Sequence, residues 1–457
     1  MKLVNKISGG IAGLGLAAFA ALPAWAQDAA LQAPETAAAA PAVDKGDTAW
    51  MMTATILVLL MILPGLALFY GGLTRSKNML STMTQIGAAA ALAMLIWVAW
   101  GYTMAFGGSS NAVISAFDKL FLSGVTPDST AATFSDGVAI PEYVFVCFQM
   151  TFAAITVALV LGAVVERMKF AAVMVFAAVW LTIVYFPIAH MVWYDGGDEG
   201  VSGYFFAMGA LDFAGGTVVH INAGVSALVA ALILGKRIGY PKEAMAPHSM
   251  TLTFVGTAML WVGWFGFNAG SALEANGSAA LAMINTFVAT AAAGLAWMLA
   301  EKLAKHKPSA LGFCSGIVTG LVAVTPAAGN SGPLGAILLG AVAALICFLA
   351  VTVMKPRMGY DDSLDAFGIH GIGGIIGAVG TGIVYAPSLG GPGGEDFSMG
   401  SQLVTQLLAV AATIVWAAIG TAIAIFIAKA LTGLRVSEDV EREGLDLGEH
   451  GERAYNL

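Results

Sequence analysis

"LDFAGGTVVHIN", residues 211–222, decides how this chain is read. The stretch is apolar enough for the interior of a bilayer, yet it carries Asp212 and His220. A simple anchor has no use for either. A charged side chain at the centre of a membrane helix costs ~2.5–3.5 kcal/mol on insertion scales, so ionisable groups there point to a site.

The surrounding composition supports a bilayer setting. Hydrophobic residues make up 58% of the 457, charged residues 11%, and the mean hydropathy is +0.83. A soluble domain carries roughly twice that charged fraction. The chain is therefore expected to be an all-α integral membrane protein. The net charge of −8 says little about nucleic acid, but the basic residues are dispersed among loops and form no patch, so no nucleic-acid partner is expected. Cys147, Cys314 and Cys347 lie in apolar stretches and are expected to be small buried hydrophobes, with no disulfide or metal framework.

The first segment reads differently from the rest. Lys2 and Lys6 precede a short Gly/Ala/Leu run that ends in the Ala-x-Ala signal Ala24–Ala26. Residues 1–26 are expected to be a cleaved secretory signal peptide, and 27–48 an Ala/Pro/acid periplasmic linker without order. A transmembrane domain (49–432) and a charged tail (433–457) follow.

A span needs about 20 apolar residues. Eleven such stretches occur, at about 50–73, 85–106, 142–165, 170–192, 208–235, 249–270, 277–300, 309–327, 333–354, 365–386 and 401–431. The loops after odd-numbered spans, together with the tail, hold sixteen of the twenty Lys and Arg. The opposite side holds only Lys45 and Lys119, the other two lying in the leader. The positive-inside rule then puts the mature N-terminus outside and the C-terminus in the cytoplasm.

Eleven spans divide into five, five and one long eleventh helix. Odd-membered halves must insert with opposite orientation, giving two inverted five-helix repeats. The fifth span carries "LDFAGGTVVHINAG" and the tenth "LDAFGIHGIGGIIG", with Asp-to-His spacings of eight and five. Corresponding positions would bring His220 and His370 together. Glycines from Gly368 to Gly380 strip bulk from the tenth helix and permit close packing. Asp212, if helical, lies ~12 Å from His220 along the axis and cannot pair with it. It either caps an irregular turn through amides such as those of Gly215 and Thr217, or favours the arrival of a cation. His190, His248, His306 and His450 read as interfacial or solvated. Phe148 and Phe152, one turn apart, and Phe267 and Ser271, likewise, fit either core packing or an aromatic face for a small cation.

Several long motifs now carry a resemblance. "FQMTFAAITVALVLGAVVERMKF", "VWLTIVYFPIAHMVW", "ALDFAGGTVVHINAGVSALV", "GWFGFNAGSA", "CSGIVTGLVAVTPAAG", "DAFGIHGIGGIIG" and the tail "GLRVSEDVEREGLDLGEHGERAY" occur in order from about Trp50 to the end. Together they closely resemble the bacterial ammonium transporters of the ammonium transporter/methylammonium permease/Rhesus superfamily. The resemblance implies a homotrimer in the bacterial inner membrane, each subunit having its own narrow pore for ammonium or ammonia, with methylammonium as analogue. Phe148, Trp193 and Ser271 match the external recruiting vestibule, with Thr325 a vestibule residue of lesser weight. Phe152 and Phe267 match a stacked phenyl pair closing the pore. His220 and His370 match twin pore imidazoles, and Asp212 the acid near the outer mouth. The tail implies a docking region for PII-type nitrogen-signalling proteins. No cofactor is implied. A Rhesus-like gas channel and an ammonium sensor are the competing expectations. An enzyme is not expected, because no Ser-His-Asp order, metal-ligand spacing or phosphate loop appears.

Overall fold

A computed structural model of the chain describes residues 42–108, 111–197 and 200–455. The expected leader and all but the last few residues of the expected linker lie outside the described residues.

All eleven expected spans are present as helices long and apolar enough to cross a membrane. They are α1 (Lys45–Leu73), α2 (Ser76–Phe106), α3 (Glu142–Leu161), α4 (Phe170–Trp193), α5 (Gly216–Leu234) and α6 (Met250–Gly270). Then come α7 (Gly277–Leu303), α8 (Ala310–Ala327), α9 (Pro333–Met358), α10 (Phe367–Val384) and α11 (Met399–Thr432). Polar side chains fix several starts, since the first amides of a helix need outside acceptors. Asp44 accepts from the Asp47 amide, Ser249 caps α6, Asn276 caps α7, Ser309 caps α8 and Ser398 caps α11. Asp44 thereby starts α1 at Lys45, several residues before apolar character alone placed it. The chain is a multi-pass membrane protein. Large apolar side chains such as Leu232, Leu295, Val415 and Leu431 face outward, where hydrocarbon rather than water suits them. Cys147 also lies on this outer surface, contrary to expectation. An apolar residue on a lipid-facing helix has no need to turn inward.

The halves α1–α5 and α6–α10 meet through like-numbered helices. α1 packs on α6, and α5 on α10. Glycine makes both approaches possible: a Cβ on Gly256 of α6 would sit 2.3 Å from the Phe69 nitrogen of α1, and one on Gly224 of α5 would sit 2.1 Å from the Gly371 nitrogen of α10. The long α11 lies across α4, α5 and α10. The Trp180 indole of α4 donates to both Ser226 of α5 and Thr421 of α11, each at 3.0 Å.

One feature breaks the all-helical expectation, and one histidine is placed differently from its sequence reading. Residues 107–141 between α2 and α3 include a short antiparallel hairpin, Thr130–Ala132 against Val138–Pro141. His190, expected at an interface, is fully buried, with its ring nitrogens each 2.9 Å from the carbonyl oxygens of Ala105 and Asn111. It ties α4 to the end of α2 and the loop beyond it.

At the end carrying the basic loops, Glu166 is buried between Arg75 and Arg237, 3.0 and 2.8 Å away. Arg237 also pairs with Asp361 at 2.7 Å. The tail docks on this cluster as α12 (Glu438–Glu443) and α13 (Leu445–His450). Glu441 pairs with Arg435 and accepts from the Ile238 amide, while Asp446 accepts from the Leu80 and Ser81 amides of α2. Glu449 accepts from the Phe170 amide that opens α4. Tail carboxylates thus satisfy free amides at two helix N-termini, where the helix dipole also favours negative charge.

Candidate functional site

Two carboxylates open the two helices that meet at the centre. Residues 212–215 are not helical, and Gly215 holds φ +116°, a backbone region that suits glycine. The turn lets Asp212 gather four amides: Gly215 and Gly216 donate to Oδ1, Thr217 and Val218 to Oδ2, over 2.5–3.1 Å. The capping alternative for Asp212 is the one observed. Although the helical premise for its distance fails, Asp212 makes no bond with His220. Its counterpart in the other half is Asp362, not Asp365. Asp362 accepts from the Ala366 and Phe367 amides at 3.1 and 2.7 Å, while Asp365 pairs with Lys355. Counted from Asp362, the Asp-to-His spacing is eight in both halves. Of the three aspartates in "DDSLD", only the amides that open α10 single out the right one, since Asp361 is also buried but turns to Arg237.

Beyond each acid the helix opens with a wide π-type turn, Gly216–Ile221 in α5 and Phe367–Gly371 in α10. His220 and His370 project from these turns towards each other. Their ring centroids are 5.3 Å apart, the planes 25° from parallel, and the Nδ1 atoms 3.3 Å apart. The Nε2 of His220 is buried and makes no hydrogen bond among the described residues. Gly374 gives this pair its room, because a Cβ there would lie 3.0 Å from that of His220.

Aromatic rings continue from the imidazoles. The Trp264 indole stacks on His220 at 5.4 Å and donates to the Thr325 hydroxyl at 2.9 Å. Phe267 lies 6.1 Å from His220 and stacks on Phe152 at 4.2 Å and 20°. Phe152 meets Trp193 edge-on at 5.7 Å and Phe148 at 4.9 Å. Phe152, Phe148, Trp193, Ser271 and Asp212 line a cavity of about 550 Å³ at the end opposite the tail. The stacked phenyl pair thus has one ring in the cavity wall and the other against an imidazole.

Thr325 does not line this cavity. It is fully buried and holds Trp264, which the sequence analysis had not singled out. The signal for Trp264 was its place one turn before Phe267 in "GWFGFNAGS". The Ser271 hydroxyl donates to the Phe267 carbonyl at 2.8 Å, which leaves its oxygen free to accept. The Trp193 indole donates to the Asp212 carbonyl at 2.9 Å and is held upright. Aromatic faces and a hydroxyl acceptor over a cavity suit a small cation, and the apolar rings behind them suit a neutral species. Among the described residues no cluster of His, Cys, Asp and Glu could hold a metal ion.

Comparison with known proteins matches this architecture. The model of the Ammonium Transporter Family matches residues 49–455. An ammonium transporter of Aquifex aeolicus is 48% identical over 419 residues, covering 91% of this chain and 94% of its own. The crystal structure of Saccharomyces cerevisiae Mep2 superimposes with a TM-score of 0.77 at 35% identity, over 87% of this chain and 88% of that one. A structure described as a sensor Amt protein does so with a TM-score of 0.80 at 28% identity, over 89% and 98%.

Proposed function

The chain belongs to the ammonium transporter family, and from that premise we propose that it recruits ammonium in the cavity, deprotonates it and conducts ammonia past the two histidines. One observation carries this reading: the Phe152–Phe267 stack at 4.2 Å stands between the cavity and the His220–His370 pair. Phe148, Trp193 and the Ser271 oxygen bind the cation, with Asp212 ordering the mouth and lending its charge. Ammonium matches potassium in size and charge, so radius does not separate them. A desolvated cation in an apolar pore is very costly, and only ammonium escapes that cost by giving up a proton. The neutral ammonia passes the phenyl pair, hydrogen-bonds to the imidazoles and leaves at the far end. The proton is handed to the His220–His370 pair and relayed separately. Thr325 acts behind this path by holding Trp264 against His220.

The same premise, with the basic loops and the leader, supports an inner-membrane homotrimer with the cavity periplasmic and the tail cytoplasmic. The docked tail then offers a PII-type protein its surface. Deleting residues 435–457 is expected to weaken inhibition by such a protein, and undiminished block would remove that role.

The test is solid-supported-membrane current from proteoliposomes of the purified chain, pulsed with ammonium and separately with potassium. A sustained current with ammonium alone is expected. Internal alkalinisation without current would replace this mechanism with a neutral-gas channel, and neither signal would leave a sensor.

A further inference from the structure

Lys119 is one of only two basic residues that the sequence leaves on the cavity side of the bundle after the leader, and it points into the cavity. Its backbone is fixed, since the Lys119 amide donates to the Thr103 hydroxyl at 3.0 Å, which in turn donates to the Ala116 carbonyl. Its ammonium forms an ion pair with Glu142 and lies 5.7 Å from the centroid of the Tyr102 ring. The Tyr102 hydroxyl donates to the same Glu142 oxygen at 2.7 Å. Glu142 is 4% exposed and Tyr102 2%, so the carboxylate is built into the wall, while the Lys119 side chain is 31% exposed.

A carboxylate beside an aromatic face is a receptor for a monovalent cation of ammonium or potassium size. Here the cation is a primary ammonium tethered to the chain. The other carboxylates of the cavity are engaged differently: Asp212 is spent on four amides, and Asp195 contacts the Gly197 amide and the Ser202 hydroxyl. Glu142 is the one whose charge is cancelled by a side chain able to swing away.

We propose that Glu142 and Tyr102 form a second monovalent-cation site in the cavity wall, kept closed by the ammonium of Lys119, so that the cavity gathers ammonium without being crowded by potassium. The inference rests on the transport reading above. A bare carboxylate would attract every monovalent cation, and potassium would fill it as readily as ammonium. With Lys119 in place the charge of Glu142 is cancelled, and recruitment falls to Phe148, Trp193 and Ser271.

Lys119→Met exposes the site. Its half-saturating ammonium concentration is expected to fall roughly tenfold, the low end of what a charged cleft does to local counter-ion concentration. External potassium is expected to inhibit this variant far more strongly than the wild type. Glu142→Gln leaves Lys119 unpaired and raises half-saturation. The double variant returns towards wild type, which a merely structural ion pair would not do. Crystals soaked in rubidium read the site without transport: anomalous density beside Glu142 is expected in Lys119→Met and absent from wild type and the double variant. Rubidium binding with no wild-type current would overturn the transport reading and keep the site. Lys119→Met with no rubidium and no more potassium sensitivity than the wild type would overturn the site.

Discussion

His220 and His370 face each other Nδ1 to Nδ1 at 3.3 Å, so one ring donates only where the other accepts. Protonating both Nδ1 atoms would set two N–H donors against each other, and protonating neither would leave two lone pairs opposed. The pair therefore handles one shared proton and acts as a unit. His220→Ala and His370→Ala are each expected to lower ammonium current by ~100-fold or more, the scale of a lost proton-transfer group. The double variant should be little worse than either single one. Additive losses in proteoliposome currents would show two independent sites.

Asp212→Asn tests the four-amide cap. The amide side chain keeps one acceptor oxygen and turns an NH₂ group towards two backbone donors, losing charge-assisted bonds worth roughly 3 kcal/mol or more together. The midpoint of thermal unfolding in detergent should fall, and transport should fall with it. Asp362→Asn, which disturbs two amides, should fall less. Lost current with unchanged melting would mean that the charge of Asp212 acts directly on the ion.

Thr325→Val leaves the buried Trp264 N–H without its acceptor, at a cost of about 1–3 kcal/mol. Because Trp264 stacks on His220 and not in the cavity wall, maximal flux should fall while half-saturating ammonium stays constant. A shift in half-saturation alone would return Thr325 to the vestibule.

Acid should loosen the tail end. Burial pushes the Glu166 carboxyl up, but Arg237 and Arg75 outweigh it and hold it down at about 2. A lowered carboxyl stabilises the fold above its ordinary value of 4.5 and loses that contribution as pH falls towards 2. The shift corresponds to on the order of 3 kcal/mol. Burial pushes Asp362 up from 3.8 to about 6, with the opposite sign, so its contribution changes mostly above the Glu166 window and is complete below pH 3.8. Proteolysis within residues 434–455 should rise between pH 4.5 and 2, and Glu166→Gln should flatten that rise. An unchanged profile in the variant would assign the loosening elsewhere.

Particular residues show how much of the site was legible. Asp212, His220 and His370 stood out because ionisable groups in apolar helices are costly. Asp362 did not, since three aspartates crowd one short loop and only their partners separate them. Trp264 looked like any membrane tryptophan until its ring was seen stacked on His220. Glu142 and Lys119 lie 23 positions apart on either side of a hairpin that hydropathy does not reveal.

The sequence by itself determined the eleven helices, the charge asymmetry between the loops and the paired histidines. Those properties follow from the local cost of placing polar groups or charges in hydrocarbon, which each segment meets alone. The tertiary structure decided which rings stack, which aspartate caps which helix, and which amine neutralises Glu142. Those contacts form between segments distant in sequence, where glycine-to-backbone approaches of α1 to α6 and α5 to α10 set distances that no periodicity encodes.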